Sequence, residues 1–207
     1  MTSLITRGAG LMGAEVVRLL LKQGEKPIIF SRNPVTPSLA DVADSVEAIA
    51  GDLGNFSDVL DAVKTTQPDV IYHMGGMLTA PSDADPAAAI QANALGTFHV
   101  LEAARQFDVP QVLFTSSLGV YGADITEDFI DDYTVERPCC FTAPLKHSRK
   151  TWAASTRENM GSTSEVSSIR YPSIIGPGMT TPGVAKYNPG VIEQCAKGNP
   201  LHHMGHA

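Results

Sequence analysis

The sequence predicts an α/β fold, a doubly wound parallel sheet covered by helices on both faces. Three observations predict it. Short apolar runs alternate with helical patterns from residue 3 to residue 114, a glycine-rich turn joins the first run to the first helix, and no repeat or low-complexity segment interrupts the series. Strands linked through helices form right-handed crossovers, which set the strands parallel and place helices above and below them.

The elements follow in order. Residues 3–6 form an apolar strand, and 11–22 a helix whose apolar residues (Leu11, Val16, Val17, Leu19, Leu20, Leu21) are expected to be buried before Gly24 ends it. Residues 27–30 and 46–50 are the second and third strands, 56–64 the second helix and 69–73 the fourth strand. A long helix over 86–107 carries Ile90, Leu95, Phe98, Leu101 and Ala104 at spacings suited to burial, and 111–114 is the fifth strand.

The 207 residues, 43% hydrophobic and 18% charged, suffice for one packed domain or for a domain with part of a second. A formal charge of −7, from 15 basic and 22 acidic residues, argues against nucleic acid or an anionic membrane as the main partner. No apolar run approaches the roughly 20 residues of a membrane-spanning helix, and the N-terminus lacks the charged and apolar regions of a secretory signal. Three cysteines, two of them the adjacent Cys139 and Cys140, make no disulfide framework. The expected location is the cytoplasm.

Gly8, Gly10 and Gly13 spell G-x-G-x-x-G between a strand and a helix, with Leu11 and Met12 opening the helix. Glycines let the backbone turn tightly and approach a diphosphate, which rests on the free N–H groups and positive end of the helix. The second strand ends in Ser31-Arg32, where an NAD site places an acidic residue for the ribose 2′-hydroxyl. Arg32 is either a solvated loop residue or, with Ser31, the receiver of a 2′-phosphate. The cofactor is therefore NAD or NADP, with the residue types favouring NADP.

With these motifs in place the chain resembles the extended short-chain dehydrogenases/reductases, the NAD(P)-dependent epimerases and dehydratases. Gly8, Gly10 and Gly13 match that family's phosphate loop, with Arg7 where the family has a further glycine. Gly51-Asp52-Leu53 is similar to the segment that contacts adenine, with Asp52 as the contact, and His73-Met74-Gly75-Gly76 to the segment lying along the cofactor. Asn93-Ala94-Leu95-Gly96-Thr97 resembles the helix motif whose Asn supports the active site, and Ser117 falls on the catalytic serine. Arg170-Tyr171-Pro172 opens a segment similar to the one that passes the nicotinamide. Within the family, Asp132-Tyr133-Thr134-Val135 and Ile169-Arg170-Tyr171-Pro172 are most like the L-threonine dehydrogenase branch.

The resemblance implies a Rossmann-type NAD(P)-binding domain over 1–172 and, in 173–207, the remnant of a truncated substrate-binding domain. It also implies a homodimer and an oxidoreductase or epimerase without a metal, acting on a secondary alcohol. That alcohol would belong to a small-molecule substrate, a sugar nucleotide or a small hydroxy acid.

The family's catalytic Tyr-x-x-x-Lys pair is incomplete. Either Lys146 stands at the tyrosine position with Lys150 as the lysine, or Thr142 stands there with Lys146 as the lysine. Residues 142–168 are aperiodic, and Pro144 falls where a helix should start. A reading-frame slip accounts for this. One base added ahead of the Thr142 codon lets the stretch recode to begin Tyr-Gly-Ala-Thr-Lys and continue with helical periodicity, which selects Thr142 and Lys146. Residues 201–207 recode similarly into an alternating run. Their histidines (His202, His203, His206) lack a carboxylate partner and read as a tail rather than a metal site. Without a phenol the expected cost is about 10²–10⁴-fold in rate. The alternatives are a non-catalytic dinucleotide-binding protein and a degenerate, non-functional relative.

Overall fold

The computed structural model describes residues 1–34, 36–122, 125–131, 133–138, 164–171 and 174. The chain divides into two units, Met1–Tyr171 and Pro172–Ala207, and the first carries every element below. These are β1 (Thr2–Thr6), α1 (Leu11–Lys22), β2 (Lys26–Ser31), β3 (Glu47–Ala50), α2 (Phe56–Thr66), β4 (Val70–His73), α3 (Thr79–Ala84), α4 (Pro86–Ala89), α5 (Gly96–Gln106), β5 (Gln111–Ser117) and β6 (Glu165–Tyr171). The six strands form one parallel sheet in the order β3-β2-β1-β4-β5-β6.

Successive strand residues feed opposite faces, so the central strands read as unbroken apolar runs. Leu4, Ile28, Phe30 and Ile71 join α2 and α5 in one cluster, while Ile5 and Ile29 join Val17 and Leu20 of α1 in the other. Asn55 caps α2, its side-chain oxygen accepting from Ser57 N at 3.1 Å. Gln67 ends that helix in the left-handed region at φ 43°.

Two expectations about burial need correction. Leu19 is 56% exposed, because α1 buries a single stripe (Gly13, Ala14, Val17, Leu20) and Leu19 lies on its far side. In the long helix Ile90, Leu95 and Phe98 are 43%, 38% and 40% exposed. A π-helical turn over Ile90–Leu95 separates α4 from α5 and rotates the helix surface by one residue. The buried side is then Asn93, Thr97, Val100, Leu101 and Ala104.

Two elements were not anticipated, α3 and β6. The latter begins within the aperiodic stretch. Glu165 N donates to Pro110 O at 2.8 Å and Ser164 Oγ to Val109 O at 2.6 Å, which set the register that runs from Gln111 beside Glu165 to Ser117 beside Tyr171. Among the described residues no helix is long and apolar enough to cross a membrane.

Candidate dinucleotide-binding and active site

In a parallel sheet all carboxyl ends share one edge, and here the chain reverses its winding direction between β1 and β4. Connections diverge at such a point and leave a crevice. The glycine turn follows β1, Ser31 ends β2 with Arg32 beyond it, and Asp52 and Leu53 follow β3. His73 ends β4 with Gly75 beyond it, Ser117 ends β5 and Tyr171 ends β6. The tertiary structure thus gathers these residues along one edge. Lys146, Thr142 and Pro172 lie outside the described residues.

Gly10 precedes α1 and caps it with no side chain, and the first turn holds no acidic residue. Among the described residues the N–H groups of Leu11, Met12 and Gly13 have no partner, whereas Gly10 N donates to Arg7 O and Ala14 N to Gly10 O, both at 2.9 Å. A Cβ at Gly13 would lie 2.6 Å from Arg7 O and 2.7 Å from Gly8 Cα, so only glycine lets the helix start this close to the turn. The connection after β2 buttresses the loop. Thr36 Oγ1 and Ser38 Oγ donate to Ala9 O at 3.2 and 2.8 Å, and Arg18 of α1 donates to both oxygens of Asp41 at 2.8 Å.

Arg7 sits within the turn at φ 56° and donates through Nη1 to Gly76 O. The residue is exposed, yet the turn crowds its guanidinium. That desolvation, and then the nearby Arg32 cation, hold it below the ordinary arginine range, though an arginine remains charged.

A polar network joins the carboxyl ends of β1 and β4 to α5. Thr6 Oγ1 accepts from Met74 N at 3.1 Å and from Gly75 N at 3.0 Å, and lies 2.9 Å from His73 Nδ1. His73 Nε2 lies 3.0 Å from Thr97 Oγ1, which donates to Asn93 O at 2.8 Å. Asn93 Oδ1 accepts from Met77 N at 2.7 Å and its Nδ2 donates to Met77 O at 3.2 Å. His73 and Asn93 are 1% and 0% exposed, so their side chains shape the β4 turn from within. Thr6 and Thr97 belong to this network although neither stood out as a site residue. The available signal was that Thr97 follows Asn93 by one helical turn.

Leu53 wedges between Gly75 and Gly96, where an added Cβ at Gly96 would meet Leu53 Cβ at 2.9 Å, and Leu53 O accepts from His99 Nδ1 at 2.8 Å. Asp52 Oδ1 accepts from Gly54 N at 2.8 Å, leaving Oδ2 without a hydrogen bond among the described residues. Ser31 is half-buried, while Arg32 is exposed and makes no hydrogen bond or ion pair among the described residues. Ser117 Oγ accepts from Gly119 N at 3.1 Å and keeps its own proton to donate. Among the described residues no group of three or more His, Cys, Asp or Glu is placed to hold a metal ion.

Sheet order, glycine turn and open helix start together define a Rossmann-type doubly wound fold. The family model for the NAD dependent epimerase/dehydratase family matches residues 3–207, and the chain belongs to that family. It is 30% identical over 158 residues to CDP-paratose 2-epimerase of Salmonella typhi, covering 73% of this chain and 46% of that protein. It is 31% identical over 142 residues to D-erythronate dehydrogenase of Cupriavidus necator, covering 64% and 43%. The chain thus spans about half the length of the curated relatives it matches. Among solved structures, the UDP-glucose 4-epimerase of Thermus thermophilus in complex with NAD superposes with a TM-score of 0.84 at 25% identity, over 97% of this chain and 64% of that one. The Thermotoga maritima UDP-glucose 4-epimerase with UDP-glucose shares the fold with a TM-score of 0.86 at 21% identity, over 99% and 66%.

Proposed function

We propose that this chain binds a nicotinamide dinucleotide in the crevice between β1 and β4, and that its lineage acts on a secondary alcohol of a sugar nucleotide or small hydroxy acid. The observation that carries this reading is the open start of α1. Three N–H groups, unpartnered among the described residues, sit at a turn whose glycines let the start of α1 pack closely against β1, which leaves those amides to receive a diphosphate. When bound, the nicotinamide accepts or returns a hydride.

The remaining chemistry belongs to the chain. Gly8, Gly10 and Gly13 keep the cradle open, and Asp52 offers its second oxygen to adenine. Ser117 donates its hydroxyl to the substrate oxygen, Lys146 holds the ribose, and Tyr171 and Pro172 pass beside the nicotinamide. Ser31 and the uncommitted Arg32 favour NADP over NAD. The protein is placed in the cytoplasm as a family-type homodimer, with 173–207 belonging to the substrate-binding region.

Thr142 at the tyrosine position favours a second reading, binding without turnover, because an aliphatic hydroxyl lacks a phenol's acidity. Titration of the chain with NADH and NADPH, followed by assays with UDP-glucose and D-erythronate, tests both. Saturable binding with little turnover is expected. A folded protein that ignores both dinucleotides would overturn the proposal.

A further inference from the structure

We infer that Arg7 is a diphosphate-binding residue, its guanidinium lying across the mouth of the glycine turn and acting with the free amides of α1. The inference rests on the proposed dinucleotide site and adds a residue to it.

Arg7 occupies φ 56°, a left-handed conformation that strains a side-chain-bearing residue and that glycine adopts freely. The side chain is also specifically placed. Its Cγ and Nε lie 3.5 and 3.7 Å from where a Gly10 Cβ would stand, so the stem covers the residue that caps α1. From there Nη1 reaches Gly76 O, spanning the gap between the β1 and β4 turns. The other two nitrogens have no partner among the described residues, and no carboxylate among them neutralises the group.

Charge supplies a further argument. Arg32 approaches Arg7 closely enough to repel it, and the positive end of α1 points into the same space with no acidic residue in its first turn. A cation beside an unscreened helix start is relieved by an anion, and a diphosphate on the amides of Leu11 and Met12 would bring one within reach of Arg7. Guanidinium geometry suits it, because its remaining N–H groups can form a forked pair with phosphate oxygens.

The test uses the full chain with Arg7→Gly and Arg7→Met, which remove the same charge but differ in strain. NADH and NADPH are titrated at low and raised salt, and thermal unfolding is followed without ligand. R7G is expected to melt no earlier than the parent, since glycine relieves the backbone. Both variants are expected to lose about tenfold or more in affinity for NADH and NADPH alike, with weaker salt dependence in what remains. Unchanged binding by either variant would make the arginine a bystander, tighter binding would make it an obstruction, and each would overturn the inference. A loss confined to NADPH would move the contact to the 2′-phosphate and overturn it too. If the parent chain itself bound neither dinucleotide, the inference would fall together with the reading beneath it, whereas unchanged variants would sink the inference alone.

Discussion

Thr6 Oγ1 and His73 Nδ1, 67 residues apart in sequence, meet at 2.9 Å where the ends of β1 and β4 lie in register. The Thr6 hydroxyl already accepts two backbone N–H bonds, so its proton goes to Nδ1. The ring proton is thereby assigned to Nε2, facing Thr97, whose own proton goes to Asn93 O. One threonine thus orients the histidine and pins the β4 turn along the crevice.

Replacing Thr6 by valine removes the partner of Gly75 N and of His73 Nδ1, while Met74 N keeps Tyr72 O at 3.1 Å. A loss of about 2–6 kcal/mol is expected, since each of the two orphaned groups costs about 1–3. Thr6→Ser keeps the hydroxyl and should stay within about 1 kcal/mol of the parent. Urea unfolding of both variants decides the matter, and equal losses would remove the network from the account.

Gly13→Ala tests the cradle. The new methyl would press on the Arg7 and Gly8 backbone, at 2.6 Å from Arg7 O and 2.8 Å from Gly8 O, with no flexible side chain to yield. A destabilisation of about 1–3 kcal/mol is expected, together with weaker dinucleotide binding. Calorimetric titration beside a thermal melt would show it. Full affinity in a stable variant would mean that the turn is not the phosphate seat.

Arg32→Ser separates the two cofactors. If Arg32 pairs with a 2′-phosphate, NADPH affinity should drop about tenfold while NADH affinity holds. Fluorescence titrations with both nucleotides give the ratio. Parallel changes would assign Arg32 to general electrostatics instead.

The proposed lack of a catalytic phenol gives a comparison of rates. A chain recoded from Thr142 to carry Tyr-Gly-Ala-Thr-Lys should turn over about 10²–10⁴-fold faster than the chain as it stands. Equal rates on UDP-glucose and D-erythronate would remove the argument that the missing phenol limits turnover.

Much of this site is legible locally. A G-x-G-x-x-G between an apolar strand and a helix carries its own turn chemistry, and apolar runs separated by helical periods place Ser31, Asp52, His73 and Ser117 at or just beyond strand ends. Arg7 was legible only as a missing glycine, because its φ and its reach to Gly76 depend on the β4 turn beside it. Thr6 and Thr97 read as ordinary strand and helix residues until β4 is laid beside β1 and α5 packs beneath them.

The sequence by itself determined the order of strands β1 to β5 with the helices α1, α2 and α5 between them, and the backbone freedom of the glycine turn, since periodicity and glycine freedom act over a few residues. Tertiary structure alone decided which faces are covered. The π-helical turn rotated Phe98 outward and Asn93 inward, and pairing of β1 with β4 joined Thr6 to His73. Those outcomes depend on contacts between residues far apart along the chain, whose energies no local pattern encodes.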